Sequence, residues 1–99
     1  MADIALHDNQ TDAWSVAAAV PAGTREILVS AVDDVTAAAP VARACWLRLL
    51  DQQAHGLVLS VAAGDTDRIA TGGRGVAQSW TYQVRAATGE TSDVSVLFG

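Results

Sequence analysis

The sequence predicts an α+β fold, with amphipathic helices packed on one face of a mixed or antiparallel sheet as a two-layer sandwich. Three stretches lead there: VARACWLRLLDQQAHGLVLSVAA from Val41 to Ala63, a run of helical periodicity from Pro21 to Ala39, and a closing DVSVLF from Asp93 to Phe98.

In the first stretch, Val41, Cys45, Leu47 and Leu49 share one side of a strand while Ala42, Ala44, Trp46 and Leu50 share the other, because strand side chains alternate. Arg43 and Arg48 interrupt the two apolar faces, and each can lay its methylenes on the sheet while its guanidinium reaches water. After a polar connection from Asp51 to His55, Leu57, Leu59, Val61 and Ala63 share a face, with Val58, Ser60 and Ala62 opposite. Two runs this apolar predict a hairpin inside a covered sheet.

Upstream, Asp3 to His7 alternates weakly as an edge strand, Asp8 to Asp12 is a polar turn, and Trp14 to Val20 reads as a strand or a loop lead-in. Pro21 to Ala39 predicts the clearest helix. Leu28, Ala31, Val32, Val35 and Ala39, with Ile27 beside them, recur at three- and four-residue spacing, and Asp33 and Asp34 lie opposite. Thr24 stands as its N-cap and Pro40 as its stop. Gly64 to Gly75 reads as a loop, with room for a helical turn at Thr66 to Ala70. Val76 to Thr88 fits a helix through Val76, Ala77, Trp80, Val84 and Ala87, or a strand through Val76, Trp80, Tyr82, Val84 and Ala86; periodicity leaves both open.

The 99 residues form a single domain, and a hydrophobic content of 51% argues against disorder. A net charge of −5 argues against nucleic acid or an anionic membrane and favours a basic protein partner. The lone Cys45 leaves no intramolecular disulfide, which suits a reducing cytoplasm, and its apolar strand makes it a buried hydrophobe. The N-terminal residues lack a basic and then apolar leader, and no apolar run reaches membrane-span length.

The succession of Pro21, an amphipathic helix, PVARACWLRL from Pro40 to Leu49, a turn, and GLVLSV from Gly56 to Val61 resembles the C-terminal domain of the SseB (enhanced serine sensitivity) family. The final DVSVLF is similar to that family's last strand. The resemblance covers about Pro21 to Phe98 and rests on packing patterns. It implies helices over one sheet, a helical Val76 to Thr88, and a non-enzymatic module. The glycines from Gly72 to Gly75 depart from it. A second, local likeness runs from Trp80 to Asp93, WTYQVRAATGETSD, which resembles the penultimate strand and following turn of a fibronectin type III domain. It implies an all-β sandwich with almost no helix.

No residue pattern argues for catalysis. His7 and His55 lack metal-ligand spacing, Asp33 and Asp34 splay apart on a helix, and Asp65 and Asp67 belong to no twelve-residue calcium loop. The GGRG around Arg74 lacks the Lys and Ser or Thr of a phosphate loop, and Ser15, Ser30, Ser60 and Ser79 have no nucleophile-elbow context. Trp46 reads as core. Trp14 and Trp80, with Arg48 and Arg85, form the candidate interaction surface, since aromatic and Arg side chains dominate binding hot spots. The expectation is a small cytoplasmic protein-interaction or regulatory module, of which an acidic immunity-type protein is one form, without catalytic residues, metal or cofactor. The alternative is a fibronectin-like binding module of a surface or carbohydrate-associated assembly.

Overall fold

The computed structural model describes residues 3–51, 55–70 and 80–99, and these contain strands, turns and no helix. The predicted α+β architecture is therefore corrected to an all-β one. Nine strands follow in order: β1 (Asp3–Gln10), β2 (Ala18–Ala19), β3 (Glu26–Val32), β4 (Ala42–Arg43), β5 (Cys45–Leu50), β6 (Gly56–Val61), β7 (Asp67–Ala70), β8 (Thr81–Ala86) and β9 (Ser92–Phe98).

Four antiparallel pairs are nested about the β5–β6 connection: β5 with β6, β3 with β7, β2 with β8, and β1 with β9. This is one long hairpin rolled up, so that successive pairs fall alternately in two sheets. β9 then pairs β3, and β8 pairs β5. One sheet has the order β1-β9-β3 with β7 and the short β4 sharing the far edge of β3; the other has the order β2-β8-β5-β6. The order is that of a jelly roll. The central apolar pair is the tip of the rolled hairpin.

Between the sheets lie Ile27, Val29 and Ala31 of β3, Cys45, Leu47 and Leu49 of β5, Tyr82 and Val84 of β8, and Val94, Val96 and Phe98 of β9. Each set alternates along its strand, so the inner face is apolar on every long central strand. The rings of Tyr82 and Phe98 are 5.4 Å apart. His7 of β1 crosses the gap, its Nε2 at 2.8 Å from the Tyr82 hydroxyl, so it is half-buried and its pKa is lowered by desolvation.

The segment 21–39 carries the largest correction. Its apolar residues bury at every second position, Ile27, Val29 and Ala31, because β3 lies between β9 and β7. Thr24 caps no helix. It closes a turn, its N–H donating to the Pro21 carbonyl at 3.3 Å and its hydroxyl to the same oxygen at 2.6 Å, with Gly23 at φ 83° in the third position. Asp33 and Asp34 do not face solvent from a helix but organise the next turn. Asp33 Oδ1 accepts from the Val41 and Asp34 amides, and Asp34 Oδ1 accepts from the Thr36 amide and hydroxyl. The hydrogen bond from Val41 N–H holds the carboxyl of Asp33 below its ordinary pKa.

Smaller corrections follow the same rule. β1 runs on through the polar residues to Gln10, with a register shift between His7 and Gln10 and Asn9 at φ 51°. The first central run is divided, since the chain leaves β3's sheet after Arg43 and joins the other at Cys45. β6 lies at a sheet edge rather than inside it. Residues 67–70 are strand, not a helical turn. Within Val76 to Thr88, the described part is β8, which excludes the helical alternative there; residues 76–79 and the glycine segment 72–75 with Arg74 lie outside the described residues. β8 and β9 flank a turn at 87–90 as a fibronectin-like reading requires, but they belong to different sheets. In an immunoglobulin-type sandwich the last strands share one sheet, so what the described residues have in common with that alternative is their two sheets and their lack of helix.

Candidate functional site

The outer face of the β2-β8-β5-β6 sheet is built from the side chains that alternate with the core. β8 contributes Thr81, Gln83 and Arg85, and β5 contributes Trp46, Arg48 and Leu50. The antiparallel register sets Trp46 opposite Arg85 and Arg48 opposite Gln83. On the other side of β5, Val58 of β6 lies opposite Arg48.

Trp14 reaches this face from the β1–β2 connection, which is fastened along the same edge of β8 that β2 pairs. Ala86 N–H donates to the Thr11 carbonyl at 2.8 Å, Ser15 N–H to the Val84 carbonyl at 2.8 Å, and Val84 N–H to Ser15 Oγ at 3.0 Å. Gln83 Nε2 donates to the Ser15 carbonyl at 2.9 Å while its Oε1 accepts from Nε and Nη2 of Arg48. The indole is thereby carried over two guanidinium groups. The central carbon of Arg48 lies 4.5 Å from the Trp14 ring centre and that of Arg85 lies 5.2 Å from it; Arg85 also sits 4.8 Å from the Trp46 ring. Such contacts contribute about 0.5–1 kcal/mol each at exposed sites.

Three of the four predicted surface residues, Trp14, Arg48 and Arg85, thus come together. Trp80 does not join them. It precedes β8, accepts the Val20 N–H on its carbonyl at 2.9 Å, and packs against the core beside a cleft of about 300 Å³ lined by Leu49, Leu57 and Ile69. Trp46, read as core, belongs to the outer face instead. Its signal was present: Trp46 and Arg48 are two residues apart and share a face, as do Gln83 and Arg85.

Among the described residues, which include every Asp and Glu of the chain, the ion pairs are Arg68–Glu26 and His55–Asp51. Arg48 and Arg85 have no carboxylate partner there. An acidic molecule therefore carries one cationic, aromatic face whose charge is not internally neutralised. Cys45 lies on the opposite side of β5, fully buried, with its thiol pushed up to about 11 by desolvation and by Asp67. Among the described residues no three His, Cys, Asp or Glu side chains converge to hold a metal ion. No protein-family model, curated protein or solved structure matches this chain.

Proposed function

We propose that this chain is a non-enzymatic protein-interaction module that binds through the outer face of its β2-β8-β5-β6 sheet. The observation that carries the reading is the stack of Arg48 and Arg85 on Trp14, without carboxylate partners, in a chain of net charge −5. Net charge alone points to a basic partner. The local charge points the other way, to an acidic segment, because recognition is set by the groups that are desolvated in contact. Pre-stacked guanidinium groups lose little side-chain freedom on binding and present bidentate donors to carboxylates.

The test is a titration of the full chain with oligoglutamate, followed by the Trp14 indole N–H and the Arg48 and Arg85 Nε–H resonances. These resonances shift with oligoglutamate and not with oligolysine. In the Arg48→Lys, Arg85→Lys chain, which keeps the charge but loses the planar fork, the shift of the Trp14 indole N–H shrinks. Absence of any shift, or an equal response to oligolysine, refutes the proposal. A neutral glucose oligosaccharide serves as the third arm, since the partly exposed Trp14 and Trp46 rings are also the groups on which sugars stack; a response to it alone would make the carbohydrate-associated reading the better one.

A further inference from the structure

The two cations of the Arg–Trp face are held at a fixed spacing. Arg48 of β5 and Arg85 of β8 stand diagonally, because the register sets Arg48 opposite Gln83 and Trp46 opposite Arg85. Diagonal neighbours on one face of an antiparallel pair are about 7–8 Å apart. Each guanidinium is also fastened to the sheet. Gln83 Oε1 accepts from Nε of Arg48 at 2.9 Å and from its Nη2, and Gln83 is itself tied to the Ser15 carbonyl. Arg85 donates from Nη1 to the Ala86 carbonyl at 3.2 Å and lies against two indoles, those of Trp14 and Trp46. Arg48, at 4.5 Å, and Arg85, at 5.2 Å, lie against the one Trp14 ring, which keeps their central carbons within about 10 Å of each other. Among the described residues Nη1 of Arg48 and Nε and Nη2 of Arg85 have no acceptor, so each cation keeps donors for a partner.

We propose that this face takes an extended acidic segment by two carboxylates placed two residues apart, one on Arg48 and one on Arg85. This rests on the acidic-partner reading and adds the spacing of the partner's charges. In an extended chain, residues two apart turn to the same side and stand about 6.8 Å from each other, close to the diagonal separation of the two arginines. Carboxylates on adjacent residues turn to opposite sides, and those four apart share a side at about 13–14 Å, beyond what one shared indole allows. A helix brings residues four apart to about 5–6 Å, a poorer match to the diagonal. Because the residue between the two carboxylates points away from the sheet, its identity is left open. Gln83 is the positioning residue, since it holds Arg48 at its distance from Arg85.

Three blocked peptides of identical composition test it, each with two Glu in a background of Thr, which favours an extended backbone. The Glu residues are adjacent, two apart or four apart, and binding to the full chain is followed by the Trp14 indole N–H. The peptide with Glu two apart is expected to bind about fivefold more tightly than either isomer. In Gln83→Met, which releases Arg48 but keeps both charges, all three bind and the preference disappears; a merely structural role for Gln83 would weaken the three alike. Equal binding of the isomers, preference for another isomer, or a preference that survives Gln83→Met overturns the proposal. A chain that answers to oligoglutamate but to none of the three peptides overturns it as well, and in each of these cases the acidic-partner reading stands. A chain that answers to neither loses both.

Discussion

Replacing Ile27 by Ala removes three carbon atoms from a side chain with no exposed surface, in β3 and within the buried cluster that also holds Cys45, Leu47 and Val84. Truncating a buried Ile to Ala costs about 2–5 kcal/mol, from lost burial plus the cavity left behind. Set against a total stability of about 5–15 kcal/mol, this is a large fraction. The neighbouring Leu28 points to the opposite face of the same strand and is only partly buried. Its truncation removes about the same number of atoms but less covered area, so it costs roughly 1–2 kcal/mol at ~25 cal/mol per Å². In urea unfolding, Ile27→Ala lowers the midpoint by roughly 1–3 M, given slopes of about 1–3 kcal/mol/M for small domains, and Leu28→Ala lowers it by clearly less. A helix over 21–39 would place Leu28 in the buried stripe and Ile27 beside it. A midpoint lower for Leu28→Ala than for Ile27→Ala would refute the strand assignment and the core built on it.

The carboxyl pair of Asp8 and Asp93 gives a prediction with opposite signs. Asp93 is buried, accepting the Asn9 amide at 2.9 Å on Oδ1 and the Val35 amide at 2.9 Å on Oδ2, and these bonds lower its pKa. Asp8 is raised by its hydrogen bond to Asp93 and by that residue's charge. The Asp93 contribution is present above the ordinary carboxylate pKa and is lost as pH falls through its lowered folded value. The Asp8 contribution is present below the ordinary value and is lost as pH rises through its raised one. Near neutrality, Asp8→Asn therefore raises the melting temperature and Asp93→Asn lowers it, since an amide cannot accept on both atoms. In acid below the carboxylate range the effect of Asp8→Asn disappears; a stabilisation that persists there would refute the shared-proton account. Cys45 should resist an aromatic disulfide reagent in the native state and react in full once urea unfolds the chain; native reaction at the rate of an exposed thiol would contradict its burial.

Local reasoning carried furthest where a segment had one period and one environment. The shared side of Cys45, Leu47 and Leu49 in β5, that of Val94, Val96 and Phe98 in β9, and the edge position of β1 were all legible as sequence. The segment 21–39 was not. Its Ala-rich spacing satisfies the helical period over the whole window, while Ile27, Val29 and Ala31 satisfy the strand period over a shorter one that the turn residues Pro21 and Gly23 precede. The Pro-Ala-Gly-Thr turn and the paired Asp33 and Asp34 were the better guide, because each supplies a specific hydrogen bond where periodicity supplies only a face.

The sequence by itself determined that this chain is an ordered domain, which residues can share a face on each strand, and that Arg48 must rise from an otherwise apolar strand. Which strand lies beside which was decided only by the tertiary structure. Nested pairing brings β1 to β9 across nearly the whole length of the chain and β2 to β8 across more than half of it, and no local pattern encodes a partner that distant. The outward position of Trp46 and the meeting of Trp14 with Arg48 and Arg85 follow from that pairing. Alternation says that two residues share a side, but only the second sheet says which side is the core.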